Sequence, residues 1–232
     1  MRLLHKIFGR SPEAGSFWRN GPVWVRTAPF LLFLALTFCQ GEFGEASRYW
    51  FYFAKTLVGA WLIWEMYPFV SELRWAVSWE AVAVGVAVFA MWVALDPFYP
   101  HMARSGPDWN PLAKFGDGSA LAWAFMVVRV LGMAVVVPPL EEVFYRSFLY
   151  RYLIKPDFQS VPFNRLVWFP LLATAGVFGL EHYQWLAGIL CGLAYQWLVW
   201  RKNRIGDAIT AHALTNLLLG AWVVWRHAWQ FW

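Results

Sequence analysis

The sequence predicts an all-α fold, a polytopic transmembrane bundle of seven or eight helices. Hydrophobic residues make up 60% of the chain and charged residues only 14%, with 18 Trp and 20 Phe, far more than a soluble domain of 232 residues carries. Several apolar stretches reach the length of about 20 residues that crosses roughly 30 Å of hydrocarbon. Tyr49, Trp50, Trp79, Trp123, Trp168, Trp185, Trp197, Trp200 and Trp225 cluster near the ends of those stretches, as amphipathic rings do at the headgroup level.

In chain order, apolar runs at 28–39, 49–70, 77–95, 119–137, 163–181, 183–200 and 205–226 each predict a helix, with "PLEEVFYRSFLYRYL" as a shorter helical piece between the fourth and fifth. The first run is barely a dozen residues and contains Pro29. It is preceded by Arg2, Lys6, Arg10, Arg19 and Arg26 and is not followed by an A-x-A pattern, so an uncleaved interfacial or re-entrant segment is expected. Pro138 and Pro139 are expected to end the fourth helix and open the short one, which would put Glu141 and Glu142 near a helix N-terminus, where backbone N–H groups favour negative charge. The stretch 96–118, "DPFYPHMARSGPDWNPLAKFGDG", reads as a loop or lid and not as a domain boundary. There is no internal repeat and no low-complexity tract. The expected organisation is a basic segment over 1–27 and a single transmembrane domain over 28–232, with the polar motifs in 138–220.

The net charge of +5 arises from Lys and Arg in short segments between apolar runs. There they orient a membrane protein, and nucleic acid is not expected as a partner. The basic N-terminus, the set Arg151, Lys155 and Arg165, and "RKNR" at 201–204 are expected on the cytoplasmic side, with the glutamates toward the other. Cys39 and Cys191 lie in apolar runs and read as free thiols.

Few strongly polar groups interrupt the second half of the chain: Glu141, Glu142, Arg146, Glu181, His182, His212 and Asn216. Ionisable residues inside a membrane are expensive, which makes them functional candidates. Glu142 and Arg146 are spaced i, i+4 and can pair on one helix face. Glu141 points about 100° away, lacks such a partner and shares a face with Tyr145. It is the better candidate for chemistry. Phe178 and His182 share one face of the following helix, and His212 and Asn216 share one face of the last. A carboxylate, two imidazoles and an amide on successive segments can assemble one polar pocket.

In order, these residues read "EEVFYR", "FGLEH" and "HALTN". They match the signatures EExxxR, FxxxH and HxxxN of the CAAX-processing protease and bacteriocin-processing (CPBP) membrane proteins, a family this chain resembles over roughly 119–226. The resemblance implies a glutamate-dependent intramembrane endopeptidase without a cofactor, in which Glu141 and His182 activate a water while His212 and Asn216 stabilise the oxyanion. The size and short loops are also similar to a bacterial branch associated with exosortase-type C-terminal sorting systems, which implies a multi-pass protein of the bacterial inner (plasma) membrane. The implied partners are membrane lipid and a protein substrate carrying a C-terminal motif or lipid anchor.

Amide hydrolysis needs a nucleophile, a proton relay and donors aimed at the developing oxyanion, and these residue types supply all three. Glu142 and Arg146 would support the catalytic helix, with Phe178 and Tyr145 beside the site. Two other classes stay open from the residues. A carboxylate and two histidines could bind zinc, although there is no HExxH. The same polar set could also hold helices together or bind a peptide tail without cutting it. A transporter fits less well, since paired halves and matching broken helices are missing.

Overall fold

The computed structural model describes residues 21–103 and 108–232. The basic positions Arg2, Lys6, Arg10 and Arg19 lie outside the described residues. Eight helices and no strand are found among the described residues: α1 Pro22–Phe38, α2 Ser47–Met66, α3 Trp79–Leu95, the short α4 Pro111–Phe115, α5 Ala120–Ile154, α6 Trp168–Leu180, α7 Trp185–Lys202 and α8 Gly206–Arg226. The local chemistry explains several of the starts. Ser78, Asn110 and Ser119 each accept a hydrogen bond from a backbone N–H of the first turn they cap, those of Ala81, Ala113 and Ala122. Pro22 sits in the first turn of α1, where its missing N–H costs nothing.

Trp79–Phe98, Ala120–Ile154 and Gly206–Arg226 are long and apolar enough to cross a membrane, and α1 and α6 are shorter apolar helices. Large hydrophobic side chains stand exposed on these helices, among them Leu31, Val86, Val127, Leu172 and Trp225. Such a surface belongs in lipid, and the chain is an integral membrane protein with a helical bundle.

The structure corrects three expectations. The prolines at 138 and 139 do not break the chain into two helices: α5 runs unbroken for 35 residues, through both of them. It does so by widening into π-helical turns at Gly132–Val136 and Val143–Leu149, on either side of Val137–Glu142. A π-turn gives a proline ring the room it lacks against the α-helical carbonyl four residues back. The two glutamates therefore sit in the interior of a long helix, and no helix N-terminus supports them. The 96–118 stretch holds a 3-10 turn at Asp96–Phe98 and the helix α4. Helix α1 begins at Pro22, six residues before the apolar run, so Arg26 belongs to it and is buried rather than part of a basic leader.

Helix α8 occupies the middle of the bundle and packs on α3, on α7 and on the first π-turn of α5. Its approach to α3 is close: a Cβ on Gly85 would stand 2.8 Å from the Ala211 carbonyl oxygen. The Thr215 hydroxyl donates to the Gly85 carbonyl at 2.9 Å across the same contact. Helices α6 and α7 cross on Gly179 and Gly188, where a Cβ on Gly188 would stand 2.8 Å from the Gly179 Cα. Small residues at such crossings let backbones approach in lipid. At one end of the bundle the Asn164 N–H donates to the Asn203 side-chain oxygen at 3.1 Å and ties the 163–167 loop to the 201–204 turn.

Candidate active site

The second π-turn of α5 begins right after Glu142, and the α6–α7 crossing places His182 just past the end of α6. Helix α8 presents His212 and Asn216 one turn apart. These elements bring the polar residues of all three motifs to one region in the interior of the bundle.

Glu142 is fully buried and holds two partners. Its Oε1 lies 3.1 Å from Arg146 Nη1 and accepts a hydrogen bond from His212 Nδ1 at 3.0 Å. The i, i+4 pair expected from the sequence is present, and the contact with His212 is an addition to it. Because a carboxylate only accepts, Nδ1 of His212 carries the proton, which leaves Nε2 of the neutral ring as the lone-pair nitrogen. That nitrogen faces Glu141, whose Oε2 lies 3.8 Å away, too far for a direct hydrogen bond. Tyr195 stacks on the His212 ring, with centroids 5.1 Å apart.

His182 is fixed in the same manner. Its Nδ1–H donates to the Phe178 carbonyl at 2.7 Å, so Nε2 is again the free lone pair. Phe178 is the hub between the motifs: its ring lies 4.9 Å from His182, 6.0 Å from His212 and 5.2 Å from Tyr145. The Arg146 guanidinium sits over Phe178 at 4.7 Å and near the rings of Tyr145 and Tyr195, and it donates to the Gly192 carbonyl. An aromatic cage of this kind makes a buried cation less costly. The Tyr145 hydroxyl is directed toward Glu181.

Asn216 is placed differently from the sequence-based picture. Its Nδ2 donates to the Met133 carbonyl at 2.8 Å, so one of its two N–H groups is already engaged and one remains for other work.

Three neighbours of the site went unnoticed in the sequence. Lys55 of α2 is buried, donates to Thr37 Oγ1 at 2.9 Å, lies over the rings of Phe33 and Tyr52, and is within electrostatic reach of Glu141. A lone lysine in the apolar run "FYFAKTLVGAW" was the available signal. Trp92 of α3 packs edge-on to His182 at 5.4 Å, and Tyr195 stacks on His212. Both look like ordinary aromatic residues of a membrane helix, and nothing local in the sequence marks them. No group of three or more His, Cys, Asp or Glu among the described residues is arranged to hold a metal ion.

Residues 122–218, from the first turn of α5 to the middle of α8, match the family model described as Rce1-like, type II CAAX prenyl endopeptidase Rce1-like. No curated protein and no solved structure matches the chain. The matched segment carries all three motifs and is similar to the CAAX-type membrane endopeptidases that this model describes.

Proposed function

We propose that the protein is an intramembrane endopeptidase that hydrolyses a peptide bond near the C-terminus of a membrane-anchored or lipidated protein. The observation that carries this reading is the convergence of Glu141, Glu142, Arg146, His182, His212 and Asn216 from α5, α6 and α8 inside a membrane-spanning bundle, in the segment that matches the family.

In this mechanism Glu141 and the Nε2 lone pair of His182 take a proton from a water, whose oxygen attacks the scissile carbonyl carbon. The carbonyl oxygen becomes an oxyanion, and His212 and the second N–H of Asn216 stabilise it. With Nδ1–H given to Glu142, His212 can donate through Nε2 only as an imidazolium. The Glu142 carboxylate stands behind that ring and orients it, as the carboxylate behind the histidine does in a hydrolase triad. The C–N bond then breaks and the proton taken from water passes to the leaving amine. Arg146, caged by aromatics, pairs with Glu142 and holds it in place. The exosortase-type bacterial branch supplies candidate substrates: exported proteins with C-terminal sorting segments in the inner membrane.

The test is co-expression with C-terminally tagged candidate substrates, followed by proteoliposome assays of the wild type and Glu141→Gln. Processing by the wild type and its loss in a Glu141→Gln protein that inserts and folds normally is the expected result. Full processing by Glu141→Gln would overturn the mechanism. Activity is also expected to survive chelators, and activity lost to a chelator and restored by zinc would make Glu141, His182 and His212 ligands instead.

A further inference from the structure

We infer that Pro138 is a positioning residue: by withholding a backbone N–H it frees the Met133 carbonyl, and that carbonyl anchors the Asn216 amide beside the site.

In the first π-turn of α5 the Val137 N–H donates to the Gly132 carbonyl, five residues back. The α-helical donor for Met133 would be that same N–H, and its π-helical donor would be the N–H of residue 138. Residue 138 is proline and has none. Met133 is therefore left with a carbonyl that the helix cannot satisfy, in the interior of a membrane protein, where an unsatisfied backbone group is costly. Asn216 of α8 supplies the missing donor at 2.8 Å. The same bond fixes the amide plane of Asn216, and with it the direction of its second N–H. Pro139 does not do this work, because an N–H at 139 could reach only the carbonyls of Val135 or Ala134. The proline pair thus has a division of labour that the motif EExxxR does not describe.

The position is sensitive to register. An N–H at residue 138 would satisfy Met133 directly if the π-turn persisted. If the turn tightened to α-helix, the Val137 N–H would return to Met133. Either outcome gives Met133 a helical donor and makes Asn216 dispensable as its partner.

Four proteins test this: the wild type, Pro138→Ala, Asn216→Leu and the double variant, with thermal unfolding measured in detergent. Asn216→Leu is expected to lower the midpoint by about 2–10 °C in the wild-type background, the effect of one buried acceptor losing its donor. It should lower the midpoint by much less when introduced into the Pro138→Ala protein. Equal losses in both backgrounds would overturn the inference, and this readout needs no substrate. The catalytic half rests on the endopeptidase reading given above. There, Pro138→Ala is expected to lose about 10²-fold in kcat with little change in KM and no loss of thermal stability, whereas Pro139→Ala stays within a few-fold of the wild type. Full activity in Pro138→Ala would overturn the positioning role. If the wild type cleaved no candidate substrate, the endopeptidase reading would fall while the thermal cycle still decided whether Pro138 and Asn216 act through Met133.

Discussion

Glu142 shows how a single side chain can carry both stability and chemistry. The i, i+4 spacing to Arg146 was legible in the sequence because it is a property of one helix. The contact with His212 was not, since it depends on how α8 packs against α5, seventy residues away. One carboxylate oxygen thus serves a buried guanidinium and a buried imidazole at once. Removing it strands a cation in a low-dielectric interior, which typically costs about 3–5 kcal/mol. It also frees His212 Nδ1 and lets the ring turn. Glu142→Ala is therefore expected to lower the thermal midpoint and the processing rate together. Glu142→Gln keeps an acceptor oxygen and the volume but not the charge, so it should recover only part of the stability while the rate stays low, because a neutral amide supplies no counter-charge behind His212. Thermal unfolding and processing assays on both variants check this. Equal rates for Glu142→Gln and the wild type would show that Glu142 does not act on His212. Lys55 and Trp92 complete the residue scale. The lysine could have been found as a lone charge in an apolar run, while the tryptophan could not, since a membrane bundle with 18 of them marks none.

At the scale of the helices, the sequence located every long apolar segment and misread the one junction that matters most. Two consecutive prolines are the strongest local signal for a helix end. The bundle overrides it, because π-turns accommodate the rings and a side chain from α8 satisfies a freed carbonyl. The α6–α7 crossing illustrates the opposite case, in which the signal was present but lacked a partner. Gly176, Gly179, Gly188 and Gly192 are all visible in the sequence, and only the packing tells them apart. A Cβ on Gly188 would meet the Gly179 Cα at 2.8 Å and His182 Nδ1 at 3.5 Å, whereas a Cβ on Gly176 meets nothing within 4 Å. Backbone atoms cannot rotate away, so Gly188→Ala must push α6 off α7 and carry His182 with it. Gly188→Ala is expected to destabilise by about 1–3 kcal/mol, the usual cost of overpacking, and to lower the processing rate. Gly176→Ala should be neutral or slightly stabilising, since alanine is the better helix former. Thermal midpoints and rates for the pair decide it, and a harmless Gly188→Ala would mean that the crossing does not set His182.

For the whole molecule, the larger part of the chain, outside the family match, is more than hydrophobic filler, and its charges show what it does. The Arg26 guanidinium of α1 grips Glu72, from the turn between α2 and α3, through Nε at 2.8 Å and Nη2 at 3.0 Å. The same carboxylate takes hydrogen bonds from Ser147 and Arg151 of α5, and Arg151 reaches on to the Val161 carbonyl in the α5–α6 connection. Two arginines share one glutamate, and the surplus positive charge lies against the faces of Phe158 and Phe163. This latch joins residues 26 and 72 to the second π-turn of α5, four residues after the turn begins and five after Glu142. None of it was legible locally, since Arg26 read as one more member of a basic leader. Burial pushes Glu72 upward, but hydrogen bonds and charge from Arg26, with help from Ser147, outweigh it and hold the carboxyl below its ordinary value. A carboxylate lowered by folding contributes stability in full above its unfolded value, about 4.3, and loses it as the pH falls through the lower folded value. The thermal midpoint of the wild type should therefore fall as the pH is taken below about 4. Glu72→Gln should start lower at neutral pH, because two buried guanidinium groups have lost their counter-charge, and should show a shallower further decline in acid. Parallel acid declines in the two proteins would place the sensitivity at another carboxylate and leave the latch without its proposed share of the fold's stability.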